Sequence, residues 1–240
     1  MKKYGLIGHP LTHSFSESYF QEKFYKEGIH HSEYKAYPLP NLNGFNDWVI
    51  KEGLSGLNVT IPYKEAIIPF IDELTAEAES IGAVNTIQVL GSKLIGHNTD
   101  YIGFSKSLVP LLYPSINNAL ILGSGGASKA IAYALQKLGI HYRIVSRKEG
   151  ELSYSELTSS IIKAHPLIIN STPLGTYPNT EQYPPIPYDL LTENHLLYDL
   201  VYNPAESLFS TYGKAKKCQV KNGLEMLHIQ AEESWNIWNS

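Results

Sequence analysis

"LILGSGGASKAIAYAL", residues 120–135, carries an apolar strand into a glycine-rich turn and out again into a helix. Gly123, Gly125 and Gly126 sit in the turn, and Ala127 and Ser128 follow as the helix opens. Glycines at such a junction let backbone N–H groups come close to a pyrophosphate, and the helix start adds the positive end of its dipole. Ser128 stands where the G-x-G-x-x-G pattern has its third glycine. A tight strand–helix turn can use glycines without any ligand. Here the turn follows a strand, opens a helix and heads a βαβ unit, which favours a bound dinucleotide.

The next strand ends at Val145-Ser146-Arg147-Lys148. A site for NAD would place an acid there for the ribose 2′-hydroxyl, yet the first acid is Glu149, beyond two cations. Arg143 and Arg147 are the chain's two arginines. A guanidinium at this strand end matches the geometry of a 2′-phosphate, with Ser146 beside it and Lys148 adding charge. A solvated turn is the other reading of the same residues. The sequence thus points to NADP(H) rather than NAD.

Outward from this unit, short apolar strands alternate with helical segments along the whole chain, so the fold class is α/β. The second half reads as βα units: strands at 118–123, 141–146, 165–170, 196–202 and 218–222, and helices at 126–138, 153–163 and 205–215. A closing helix runs from about 223. This is the pattern of a parallel, doubly wound sheet, a Rossmann-like dinucleotide-binding domain. The first half predicts strands at 3–8, 33–37 and 54–61, helices at 15–27, 44–52 and 72–81, and a hairpin turning at Gly91-Ser92. We therefore expect two domains, a substrate-binding and catalytic α/β domain over 1–99 and a dinucleotide domain over 100–223. The last helix, 224–240, is expected to pack back onto the first.

Bulk properties narrow the function. The chain has 240 residues and a formal charge of −4, too mild to suggest nucleic acid or an anionic membrane as partner. No apolar run is long enough to span a bilayer, and the apolar stretch before His9 is too short for a signal-peptide core. Cys218 is the single cysteine, so no disulfide framework exists and a reducing cytoplasm fits. Nine histidines form no HExxH pattern, and Pro10 lies between His9 and His13, so no metal site is expected. A small-molecule substrate is the expected partner, and the chain is a monomer or homodimer.

In the first half, "SGLNVTIPYKEAI" (55–67) sets Lys64 just past a strand carrying Asn58 and Thr60. A solvated surface lysine is the ordinary reading. Ser14 with Glu17 makes a capping box, while Ser16 adds a second hydroxyl that could help hold a small anion at the helix start. Pairing outward from Gly91-Ser92 brings Asn85 opposite Asn98, two amides facing each other. Asp100 would project from the same face if the strand persists, or would cap the helix that follows.

Taken in order, "GLIGHPLTHSFS", "GLNVTIPYK", "GAVNT", "GHNTD", "LGSGGAS", "INSTPLG", "DLVYNP" and "NGLEMLHIQA" resemble the shikimate dehydrogenase family from Tyr4 to the last helix. The resemblance implies a substrate domain, an NADP-binding Rossmann domain and a cleft between them. It implies that Ser14, Ser16, Asn58, Thr60, Lys64, Asn85, Asp100 and Gln230 bind substrate, with Lys64 and Asp100 the catalytic pair. It implies a cofactor site of Gly123, Gly125, Gly126, Ala127, Arg147, Thr172 and Gly223, with Tyr202 and Met226 near the junction. Of these two, Tyr202 goes with the substrate residues and Met226 with the cofactor residues. The implied reaction is reversible, NADPH-dependent reduction of 3-dehydroshikimate to shikimate, in aromatic amino-acid biosynthesis. A quinate/shikimate dehydrogenase using both NAD and NADP is the nearest rival. A non-catalytic module on the same scaffold would have lost Lys64 or Asp100, and both are present.

Overall fold

The computed structural model describes residues 1–11, 15–147 and 151–240. Ser14 and Lys148 therefore lie outside the described residues. Two compact units form, one of Met1–Thr99 with Ala231–Ser240, the other of Asp100–Gln230.

The first unit contains β1 (Lys2–Gly8), α1 (Phe15–Lys26), β2 (Ser32–Pro38), α2 (Phe45–Glu52), β3 (Leu54–Val59), α3 (Tyr63–Ala66), β4 (Glu73–Leu74), α4 (Ala76–Ile81), β5 (Thr86–Leu90) and β6 (Lys93–His97). Its sheet runs β2-β1-β3-β5-β6-β4, with β1 parallel to β2 and β3 and the β5–β6 hairpin antiparallel. The hairpin register follows its glycine turn, Leu90 pairing with Lys93. Side chains alternate across the sheet. Ile7, Leu57 and Ile87 meet Phe45 and Val49 of α2 on one face. Tyr4, Leu6 and Tyr34 meet Phe20 and Phe24 of α1 on the other.

The second unit contains α5 (Asp100–Leu108), β7 (Asn118–Leu122), α6 (Gly126–Lys137), β8 (His141–Val145), α7 (Ser159–Ala164), β9 (Leu167–Asn170), β10 (Leu196–Asp199), α8 (Leu208–Ala215), β11 (Gln219–Lys221) and the start of α9 (Leu224–Trp238). All its strand pairs are parallel, in the order β11-β10-β9-β7-β8. Both faces are covered, as a parallel sheet requires. Ala119, Ile121, Ile169 and Tyr198 pack with Phe104, Ile131 and Leu135, while Leu120, Leu122, Ile168 and Leu197 pack with Ile162 and Phe209.

The far end of α9 belongs to the first unit. Trp238 stacks on Tyr4 with ring centroids 4.9 Å apart and donates Nε1–H to the Ile87 carbonyl at 3.0 Å. A Cβ on Gly56 would lie 2.3 Å from the Trp238 ring, so the indole occupies the space that a side chain in β3 would take.

Several elements are shorter than the sequence predicts, and hydroxyl caps or local turns account for it. The strand predicted over 54–61 ends at Val59, because Tyr63 N–H closes a turn on the Thr60 carbonyl at 2.9 Å and Pro62 cannot donate to a ladder. Ile61 is consequently 68% exposed rather than buried. The helix predicted over 72–81 begins at Ala76, where the Thr75 hydroxyl accepts from Ala78 N–H, and Glu73–Leu74 pair with β6 instead. The segment 153–163 divides into a 3₁₀ turn capped by Ser153 and a helix capped by Thr158. Ser207 starts α8 in the same way. At each of these helix starts a side-chain oxygen satisfies an N–H that otherwise lacks a partner. Among the described residues no helix is long and apolar enough to cross a membrane.

Candidate active site

In the first unit the candidate residues gather where β1 and β3 end. Asn58 is buried on β3, and Thr60 follows it, its N–H donating to the Ile7 carbonyl at 2.9 Å. Lys64, just past β3, lies in the short helix α3. It is half-buried, and its carbonyl accepts from Val84 N–H at 2.7 Å, which ties the lysine backbone beside Asn85. Asn85 in turn holds the β3 end, its carbonyl accepting from Val59 N–H at 2.8 Å. Ser16 occupies the first turn of α1.

The strand ladder stops one pair short of the expected meeting of Asn85 and Asn98, at Thr86–His97. Beyond it Asn85 Oδ1 accepts from Thr99 N–H at 2.6 Å and its Nδ2 donates to Thr99 Oγ1 at 2.9 Å. Asn98 Nδ2 donates to the Ala83 carbonyl at 2.9 Å. The strand does not persist to Asp100, which is buried and begins α5 in the second unit.

In the second unit, β8 lies on one side of β7 and β9 on the other, so the winding reverses at β7. Open α/β sheets bind ligands at the carboxyl ends of strands beside such a switch. Three loops meet there: Gly123–Gly125 after β7, Ser146–Arg147 after β8, and Ser171–Gly175 after β9. Gly123 N–H donates to the Val145 carbonyl at 2.8 Å, and Ser171 N–H and Oγ–H both donate to the Leu122 carbonyl. Ser124 and Ser146 join the first two loops, their hydroxyl oxygens 3.1 Å apart. Arg147 is exposed just past the end of β8, and its charge acts on the Tyr154 phenol.

The glycines separate by cause. Gly123 has φ +113°, and a Cβ there would lie 2.9 Å from Ser171 Oγ, so its own loop requires glycine. Gly125 has φ −87° and ψ −176°, which any residue adopts, and a Cβ on it would meet nothing within 4 Å. Among the described residues nothing calls for glycine at 125. The open space over a backbone N–H at a helix start is what a phosphate would fill, so the loop fits a dinucleotide. Gly126 and Ala127 form the first turn of α6. Gly223 answers to packing, since a Cβ there would lie 2.2 Å from the Leu200 carbonyl oxygen.

Thr172 is held by Asn170, whose Oδ1 accepts both Thr172 N–H at 3.1 Å and Thr172 Oγ–H at 2.6 Å. Asn170 Nδ2 donates to Asp199 Oδ1 at 2.9 Å. Burial pushes the Asp199 carboxyl up to about 6 against the hydrogen bonds it accepts from Ser207, Val201 and Asn170. Tyr202 is half-buried, and burial raises its phenol. Gln230 is buried on α9, with Nε2 donating to the Leu227 carbonyl at 2.9 Å. Met226 packs into the core beside Phe104 and Tyr198.

Residues 6–87 match the model of the shikimate dehydrogenase substrate binding domain. A shikimate dehydrogenase (NADP(+)) of Methanococcus maripaludis is 37% identical, over 99% of this chain and 91% of its own length. The chain belongs to the shikimate dehydrogenase family. Solved family structures agree. That of the Aquifex aeolicus shikimate dehydrogenase superposes with a TM-score of 0.89 at 33% identity, covering 100% of this chain and 92% of its own. That of the Thermus thermophilus enzyme in complex with NADP(H) and shikimate gives 0.85 at 30% identity, covering 99% and 93%.

In this shikimate dehydrogenase family member the structure gives supporting roles to residues to which the motifs alone assign none, some of them inside those motifs. Tyr34, Thr86, Thr99 and Ser234 surround Asn58 and Asn85, and Asn170, Asp199 and Ser207 stand behind Thr172. Tyr34 and Ser234 read in sequence as ordinary strand and helix residues. Asn170 and Asp199 end two apolar strands, and a polar residue closing a buried run was the available signal.

Proposed function

We propose that this chain is an NADP-dependent shikimate dehydrogenase that reduces 3-dehydroshikimate to shikimate, reversibly. Its full-length kinship with NADP(+)-dependent shikimate dehydrogenases is the observation that carries the reading. The exposed arginine at the β8 end and the uncrowded Gly125 support the choice of cofactor. The first unit is the substrate domain and the second the NADP domain. Gly123, Gly125, Gly126, Ala127, Ser146, Arg147, Lys148 and Thr172 hold the cofactor, with Arg147 and Lys148 taking the 2′-phosphate, while the packing of Gly223 and Met226 gives both a structural role instead. Ser14, Ser16, Asn58, Thr60, Asn85, Tyr202 and Gln230 hold the substrate.

When bound, NADPH supplies the hydride. The protein orients the ketone and moves one proton. Lys64, as an ammonium, stabilises the negative charge that develops on the carbonyl oxygen and donates its proton there. In the oxidation direction the amine takes that proton back. Asp100, buried at the start of α5, is the second member of the catalytic pair. Asn58, Thr60 and Asn85, polar side chains at the strand ends, read the substrate's hydroxyl groups.

Absorbance at the NADPH band, followed with 3-dehydroshikimate, tests the reading. Oxidation of NADPH much faster than of NADH, with shikimate oxidised in reverse and quinate poorly, is the expected result. Inertness toward 3-dehydroshikimate with both cofactors overturns it.

A further inference from the structure

A chain of hydrogen bonds runs behind the candidate substrate residues of the first unit, and two of its members, Tyr34 and Ser234, lie outside every quoted motif. Tyr34, on β2, donates its hydroxyl hydrogen to Asn58 Oδ1 at 2.8 Å, and the Ser16 hydroxyl is within hydrogen-bonding reach of the same phenol. The Asn58 amide has one orientation, because its Nδ2 side faces the Asn85 carbonyl oxygen at 3.4 Å, a group that only accepts. Nδ2 also donates to Ser234 Oγ at 2.9 Å and reaches Thr86 Oγ1 at 3.3 Å. Ser234 and Thr86 hydroxyls lie 2.7 Å apart, and Thr86 Oγ1 donates to Asn85 Oδ1 at 3.2 Å. Tyr34, Asn58, Asn85, Thr86, Thr99 and Ser234 are all buried.

Burying six polar side chains together costs free energy that an apolar cluster of the same volume would not. A hydrogen-bonded network of this kind yields one amide orientation and one rotamer at each position. Asn58 and Asn85 gain most from that, since either amide could otherwise turn over.

We propose that Tyr34 and Ser234 are positioning residues for the substrate, which grip the two ends of the Asn58 amide and pass that order to Ser16 and Asn85. The ligand they serve is a polyhydroxylated six-membered ring, whose hydroxyl groups need donors and acceptors at set places. The inference rests on the reading under Proposed function. It adds that the C-terminal helix supplies, through Ser234, part of the support for the substrate site.

The test is steady-state kinetics on the 240-residue chain with Tyr34→Phe, Ser234→Ala and the double variant. Each single change is expected to raise KM for 3-dehydroshikimate about tenfold, the worth of one hydrogen bond, while KM for NADPH stays within about twofold. Because both residues act on one amide, the double variant should lose less than the product of the two single effects. Unchanged substrate KM in Ser234→Ala, or KM for substrate and NADPH rising together, overturns the proposal. Ser234→Ala removes one oxygen and decides the matter alone if Tyr34→Phe folds poorly. Wild-type chain run alongside separates the two claims: an inert wild type overturns the function, whereas an active wild type with unaltered variants overturns only this inference.

Discussion

Lys23 Nζ lies 2.9 Å from Glu232 Oε2, although Lys23 is only 9% exposed. The same ammonium reaches Glu27 at 2.8 Å and faces the Trp235 ring, and Tyr19 donates to Glu232. Burial pulls the lysine's pKa down, and the bonds to Glu27 and Glu232 together raise it more, so it stays charged. This cluster joins α1 to the end of α9. Lys23→Ala should cost about 2 kcal/mol, the scale of hydrogen bonds to a charged group. Lys23→Met, which keeps the packed stem, should cost less than half as much. Urea unfolding midpoints at unchanged slope provide the measurement.

Lys64 is half-buried, and its hydrogen bond to Val84 uses its backbone carbonyl. Lys64→Ala should leave the fold intact and lower kcat by about 10²–10⁴, the usual contribution of a positioned acid or base. Near-normal turnover in a protein with a wild-type unfolding midpoint would remove Lys64 from the chemistry.

Arg147 stands exposed at the β8 end, next to the loop that Ser124 and Ser146 tie together. Arg147→Ala should raise KM for NADPH by about 10- to 100-fold, a charge-assisted phosphate contact being worth about 1.5–3 kcal/mol. KM for NADH should move little. Equal rises for both cofactors would show that the guanidinium does not read the 2′-phosphate.

Gly125 and Gly223 should respond in opposite ways to alanine. At 125 the added methyl meets no atom of the described residues, so the unfolding midpoint should hold while KM for NADPH climbs at least tenfold. At 223 the methyl meets the Leu200 carbonyl at 2.2 Å, and stability should fall by about 1–3 kcal/mol, as overpacking does. Thermal melts beside cofactor titrations distinguish the two.

Asp199 gives a pH signature to stability. Its carboxyl rises from 3.8 to about 6 on folding, driven by burial, so the native state holds the proton more tightly than the unfolded chain. The contribution is fully present below about pH 4 and is lost as pH rises through about 6, a total of about 3 kcal/mol. Asp199→Asn removes the buried charge and can still meet Ser207 and Val201. Its unfolding free energy should therefore change less between pH 4 and 7 than the wild type's, measured by urea titration at each pH.

What residues near one another in the chain decide was legible without coordinates. Gly91-Ser92 set the hairpin register because a two-residue turn leaves one pairing open. The run from Leu120 to Leu135 announced strand, turn and helix, and the alternation of strands and helices after it announced a parallel sheet. Lys64, Asp100 and Arg147 stood out because their motifs are short and contiguous. Helix starts were less legible, since Thr75, Thr158 and Ser207 compete with earlier residues to cap, and the sheet or turn beside each decides the winner.

Sequence by itself thus determined the fold class, the family and the short motifs, all of which depend on neighbours within a few residues. Only the tertiary structure decided that Asn58 meets Ser234 across 176 positions, that Trp238 fills the space over Gly56, and that Asp199 supports Thr172 through Asn170. A buried polar atom must find its partner in whatever strand or helix lies beside it, and that adjacency comes from topology, which no local stretch of residues spells out.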